Sequence, residues 1–310
     1  MKLALIGDVH GFFDDFDVEY FNQSDYDFIL FTGDVPDFFH LSNKAYKKIA
    51  LLKKNVFMQW GNHDGFSFLE VVGELFGWSY FKVDPSKIPV IKKRLDTLKK
   101  QLGSNVISGG YKATLLTENC ALFIVRPHSI GGSRLGYKEI LQDLYNVKDF
   151  QDSFNKMKNI LDHFKTEFPK VDTLIFLGHN GPYGLSNDPR DVWGCDFKPE
   201  LGDFGDIDFR QIIDYAKQKG FYVPLVVAGH MHHRLSKKTE KYLRKKQEDL
   251  QNYRERQSIT QKDDTYYVNP AKVPRIIKQN GVVLHYHVFI EISQHNVLKI
   301  EEKYVKKQIV

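Results

Sequence analysis

Cysteine is scarce: Cys120 and Cys195 are the only two in 310 residues, and no CxxC spacing joins them. That excludes a disulfide framework and makes a reducing compartment the default. Long apolar runs are missing too, none approaching the ~20 residues that cross a bilayer. No charged, apolar and small-residue leader precedes the first apolar run at residues 2–6. The chain therefore reads as cytoplasmic, with no membrane partner. Charge of one sign is also weak. The net charge is +5, and most of it lies in residues 236–256, where eight Lys/Arg face four Asp/Glu. A dedicated nucleic-acid binder would carry a broader basic footprint. No repeat or Pro/Gly-rich linker interrupts the sequence, so residues 1–310 read as one domain. Residues 236–264 read as a charged, solvated helical insertion in it.

What the sequence does contain is a series of short apolar runs rich in β-branched and aromatic residues, the signature of strands. They cover 2–6, 27–32, 55–60, 120–125, 172–177 and 223–228, with two more at 265–269 and 281–292. Helical patterns lie between them at 42–54, 66–76, 86–102, 136–146, 151–166 and 208–219. The last of these has Asp206 or Asp208 to cap its start and Gly220 to stop it. Strands alternating with helices predict an α/β sandwich built partly on parallel strands. The closing strands, without helices between them, predict an antiparallel addition to a sheet.

The strand ends repeat one chemistry. The first run opens into Asp8 and His10, the second into Gly33-Asp34, and the third into Gly61-Asn62-His63-Asp64. The run at 172–177 ends in Gly178-His179, and that at 223–228 in Gly229-His230-Met231-His232. In open α/β sheets the carboxyl ends of strands converge on one crevice, where ligands bind. Imidazoles and carboxylates at this density suit divalent cations such as Mn²⁺, Fe²⁺, Zn²⁺ or Mg²⁺. There are enough donors for two ions, which together clamp an in-line displacement at phosphorus. Asp34, alone at its strand end, is the natural bridge between them.

The ordered set GDVHG, GDVPD, GNHD, GHNGP and GHMHH resembles the calcineurin-like metallophosphoesterase superfamily over residues 7–233. The resemblance implies a four-layer αββα sandwich, two mixed sheets flanked by helices, with a dinuclear metal site at the strand C-terminal edge. It implies Asp8, His10 and His232 on one metal, Asn62, His179 and His230 on the other, and Asp34 bridging. It further implies hydrolysis of a phosphate mono- or diester by a hydroxide activated by two metals, with Mn²⁺ favoured. His63 would act as acid or electrostatic assistant, and Asp64 would orient it. Phe38-Phe39 after Asp37, and Asp64 closing the third motif, depart from the protein Ser/Thr phosphatase pattern of GDxxDRG and GNHE. Asp37 stands where purple acid phosphatases have a Tyr. Stretches such as RPHSIGG and YVNPAKVPRI look similar to a little-characterised cyanobacterial and plastid group.

Other residues invite weaker readings. Arg126 and His128 follow the run at 120–125 and, together with Asn62, are the expected holders of the substrate phosphate. Asp203 and Asp206 suit either the site or a helix cap, and His285 and His287 share one strand face, as packed residues do. His233 should point away from His232. The expected substrate is a phosphorylated small molecule. The alternatives are a nuclease or nucleotide phosphohydrolase, with the 236–256 segment gripping nucleic acid, and a non-catalytic binding module on the same fold.

Overall fold

A computed structural model describes residues 1–39, 42–245 and 255–307. The first half of the chain runs β1 (Lys2–Ile6), α1 (Asp15–Gln23), β2 (Phe28–Phe31), α2 (Lys44–Ile49), β3 (Asn55–Gln59), α3 (Phe68–Phe76), α4 (Ile88–Leu102) and β4 (Val106–Gly109). There follow β5 (Lys112–Leu115), β6 (Cys120–Ile124), α5 (Lys138–Tyr145), α6 (Phe150–Glu167), β7 (Thr173–Leu177), α7 (Ile207–Gln218) and β8 (Tyr222–Val227). The remainder is α8 (Lys237–Lys245), β9 (Ile259–Lys262), β10 (Thr265–Val268), β11 (Ile276–Gln279), β12 (Val282–Ser293) and β13 (Asn296–Lys307).

Side chains alternate across a strand, so a strand apolar on both faces needs a core on each side. In β1, Leu3 and Leu5 join the layer between the two sheets, while Ala4 and Ile6 join a layer beneath helices. Leu30 and Phe57 repeat the inward choice in β2 and β3, and Ile29, Phe31, Val56 and Met58 the outward one. In the second sheet, Leu122, Ile124, Ile175 and Leu177 face the first sheet, and Phe123 and Phe176 face Met157, Leu161, Phe209 and Ile212 of α6 and α7. The result is helices, sheet, sheet, helices: the expected αββα sandwich of two mixed sheets.

The first sheet has the order β11-β12-β1-β2-β3-β4, with β13 also on β12, and the second β5-β6-β7-β8-β10-β9. β1 to β4 run parallel, as do β6, β7, β8 and β10. Their carboxyl ends therefore emerge at shared edges. The antiparallel addition expected of the closing strands holds for β11, β12 and β13, with β12 pairing β1 from Lys2 against Glu291 to Leu5 against Val288, but not for β10, which joins β8 in parallel.

Some elements differ from the sequence reading. The helix expected over 42–54 stops at Ile49, because the next residues are captured elsewhere. The Lys53 amide donates to Asn22 Oδ1, and Lys54 Nζ to the Ser24 carbonyl. Among the described residues, the charged insertion expected over 236–264 is helical in α8, where Thr239 and Leu243 are buried. Residues 259–262 are instead the edge strand β9, paired antiparallel with β10, and 246–254 lie outside the described residues. No helix among the described residues is long and apolar enough to cross a membrane.

Candidate metal centre

Five strand-to-loop junctions build the site, and the backbone is bent sharply to do so. His10, Asp34 and His230 all adopt positive φ, at 41°, 50° and 66°. Non-glycine residues seldom tolerate this region, and such strain collects at functional sites. Glycine is required beside them for a different reason. A Cβ on Gly61 would lie 2.1 Å from Asp34 Oδ1, and one on Gly229 would lie 2.2 Å from Asp8 Oδ1. The carboxylates occupy the space that any other residue would need.

Two groups of donors result. Asp8, His10 and His232 form one, and Asp34, His179 and His230 the other, with the ligand atoms of each group within 4.8 Å of one another. Asp34 Oδ2 faces both: it lies 3.8 Å from His10 Nε2 and 3.5 Å from His179 Nε2. Asp34 Oδ1 accepts the His63 amide at 2.8 Å, which fixes the carboxylate between the groups. Asp8 accepts Thr32 Oγ1 at 3.0 Å and the His230 amide at 3.0 and 3.1 Å, and lies 3.2 Å from His232 Nε2.

The donor set fits cations. His179 Nδ1 faces the Thr32 carbonyl at 2.8 Å and must carry the proton there. Its Nε2 is then a lone pair, turned at 2.7 Å toward Asn62 Oδ1 and at 3.5 Å toward Asp34 Oδ2. Three acceptors converging without a donor are reconciled by a cation. His10 Nε2 and His230 Nε2 are likewise buried without a hydrogen-bond partner. Buried polar atoms are ordinarily paired, so each such orphan calls for an explanation.

Electrostatics agree. Burial pushes the His10 and His230 imidazoles well below their usual range, helped by neighbouring imidazoles. Burial, then His179 and His232, lower His63 to about 3. These rings are neutral, the form in which imidazole ligates metal. Burial drives Asp34 well above the usual carboxylate range, and the charges of Asp8 and Asp64 add to it. Burial also acts to raise Asp8, but its bond with His232 and the nearby His179 and His10 hold it below the usual range.

The seven expected ligand positions thus converge, Asn62 among them, and His63 lines the same cleft. Three other expectations are corrected. Asp64 does not orient His63: its oxygens accept the Asp34, Val35 and Gly61 amides at 2.9, 3.0 and 2.6 Å and the Tyr46 hydroxyl. It clamps the loop after β2 to the loop after β3. Arg126 does not hold substrate, being buried and spent on Asp208 at 2.7 Å and Asp206 at 2.8 Å. His128 is fully buried, its Nδ1 on the Gly61 carbonyl at 2.9 Å and its ring edge-on to Phe66.

The lesser candidates are structural. Asp206 takes the N-cap position of α7, yet its side chain binds Arg126 and Ser129 rather than the helix. Asp203 folds its own loop by accepting the Gly184, Leu185 and Gly205 amides. His233 is buried with Nε2 on the Asn269 carbonyl at 2.7 Å. His285 joins Asp14 and Asp17, but Arg275 already fills that group with a 2.8 Å ion pair to Asp17.

Two cleft residues carry weight that the sequence reading did not give them. Phe38 stacks on His10, ring centroids 3.7 Å apart and planes 13° from parallel. Arg234 is exposed and lines the cleft beside His230 and His232. The available signal for Arg234 was its place two residues after His232, in the same irregular loop after β8.

The sequence profile described as calcineurin-like phosphoesterase matches residues 1–234. No curated protein matches by sequence. Among solved structures, one crystal structure is similar with 12% identity, covering 98% of both chains, at a TM-score of 0.50. A hypothetical protein from Thermus thermophilus is similar with 10% identity over 99% of this chain and 100% of its own, at 0.42. The phosphopantetheinyl hydrolase PptH from Mycobacterium tuberculosis is similar with 10% identity over 86% and 88%, at 0.37.

Proposed function

This chain belongs to the calcineurin-like phosphoesterase family, and from that premise we propose that it is a metal-dependent hydrolase of phosphate esters on small molecules. The observation that carries the reading is the pair of donor groups meeting at Asp34. Asp8, His10 and His232 would hold one divalent ion and Asn62, His179 and His230 the other, with Asp34 between and Mn²⁺ the favoured metal. Bound there, two such ions supply Lewis-acid charge to the phosphoryl oxygens and lower the pKa of a water.

The chain's own residues do the rest. His63, held by its amide on Asp34, turns its ring edge toward His10, with centroids 5.1 Å apart. From there the N–H of its neutral ring donates a hydrogen bond to a phosphoryl or leaving oxygen. Arg234, exposed in the cleft, offers a guanidinium to the phosphate. Phe38 packs against His10 and fixes the ring plane. Asp64 and Tyr46 keep the two ligand loops in register.

The test is turnover of aryl mono- and diesters, with an oligonucleotide as comparison, by the Mn²⁺-loaded protein and by Asp8→Asn and His230→Ala. Loss of activity in both variants supports the reading, and unchanged turnover overturns it. Oligonucleotide cleavage that falls steeply with salt would instead favour the nuclease alternative.

A further inference from the structure

The cleft does not end at the ligands. Leu75 and Phe197 form part of its wall and also part of the wall of a second hollow, of about 290 Å³. The two spaces therefore adjoin across this pair of apolar side chains. Beyond them the second hollow is lined by Phe76, Leu201 and Phe204 together with Arg134 and Lys198, and no Asp or Glu contributes to its lining among the described residues.

That lining is ill suited to water alone. Phe76 is 53% exposed and Leu201 52%, so both spend apolar surface on the opening of the hollow rather than on the core. Exposed apolar groups gathered beside a polar site mark a ligand surface. The base of the hollow is shaped as well. Gly131 and Gly132 are both at positive φ, and a Cβ on either would lie within 2.7 Å of the Phe204 ring. The guanidinium of Arg134 donates to the Glu74 carbonyl at the end of α3 and is held in place by it. Lys198 is exposed beside it.

We propose that this second hollow is the leaving-group subsite of the phosphoesterase. The substrate class it selects is a phosphate ester of an aromatic or similarly broad apolar alcohol that carries a second anionic group. The inference rests on the hydrolytic reading above. The ester phosphorus lies at the ligand cluster, the apolar body passes between Leu75 and Phe197, and the second anion meets Arg134 and Lys198. Hydrolysis breaks the P–O bond to that body. Water gives its OH to phosphorus and a proton to the departing oxygen, so the freed alcohol leaves through the second hollow. A small alkyl ester would reach the metals without touching Leu201 or Lys198.

Non-hydrolysable phosphonates separate binding from chemistry. The full-length, Mn²⁺-loaded protein is titrated calorimetrically with benzylphosphonate, naphthylmethylphosphonate and a carboxylated naphthylmethylphosphonate. The expected result is roughly tenfold tighter binding for the naphthyl compound and a further gain for the carboxylated one. Leu201→Ser should erase the first gain and Lys198→Glu the second, while benzylphosphonate binding stays unchanged in both variants. Equal Kd for all three phosphonates, or variant effects that are the same for all three, overturns the subsite. If the binding differences are found but no matching ester is hydrolysed, the hydrolytic reading fails and the binding site for an anionic apolar ligand stands.

Discussion

His179 Nε2 and Asn62 Oδ1 face each other at 2.7 Å, acceptor against acceptor, because the Thr32 carbonyl has claimed the His179 proton on the other side of the ring. A cation between them converts this opposition into shared ligation. Metal and fold are thereby linked, and the first prediction follows. Dialysis against a chelator should lower the melting temperature, and Mn²⁺ at about 100 times its Kd should restore about 2.7 kcal/mol for each site that binds only the folded chain. Differential scanning calorimetry reads the shift as several degrees. Identical melting with and without metal would contradict the linkage.

Asp64 and His63 are neighbours with separate tasks, and substitution should separate them. His63→Ala is expected to lower kcat by 10²- to 10⁴-fold, the usual range for loss of a general acid or base, with melting unchanged. Asp64→Asn places an amide where four donors converge, so it should lower the melting temperature and weaken Mn²⁺ binding. Calorimetry and metal titration check both. A wild-type melting profile for Asp64→Asn would refute the clamp.

The two arginines reverse the sequence expectation. Arg126→Ala leaves Asp206 and Asp208 buried without their partner, which costs about 3–5 kcal/mol of stability. Arg234→Ala removes an exposed cation, so melting should be unchanged while kcat/KM falls about 10- to 100-fold, the worth of one charge-assisted hydrogen bond. Denaturant melts and steady-state kinetics distinguish the outcomes. Full activity in Arg234→Ala would remove it from phosphate binding.

His287 sets a pH dependence away from the ligands. Its Nε2 lies 2.6 Å from the Tyr26 hydroxyl, and burial, aided by Arg275, lowers it to about 3. The unfolded chain, with His near 6.5, binds the proton more readily between about pH 3 and 6.5. Stability due to this residue is therefore complete above pH 6.5 and falls on acidification, by up to about 1.4 kcal/mol per pH unit. His287→Gln should flatten the slope by that amount, as urea melts in the presence of chelator would read. Parallel slopes in the two proteins would contradict the assignment.

Much of this was legible in the sequence because two patterns reinforced each other. Continuous apolar runs marked strands buried on both faces, and glycine-flanked His and Asp at their ends marked the cluster. Leu3 and Leu5 alternate with Ala4 and Ile6, a run of this kind. Less legible was whatever depended on a partner distant in sequence. β13 reads as a charged stretch until Glu302 and Ile300 are set opposite Val288 and Ile290. Asp64 looked like a partner for His63 because they are adjacent, whereas its donors come from residues 34, 35, 46 and 61. Arg126 looked available because Asp206 and Asp208 stand some eighty residues away.

Metal stoichiometry tests the central claim most directly. Equilibrium dialysis with Mn²⁺ followed by elemental analysis should give two ions per chain, falling to one or none in Asp34→Ala as the bridging carboxylate is lost. Fewer than one ion bound to the wild-type chain, or two retained by Asp34→Ala, would contradict the account.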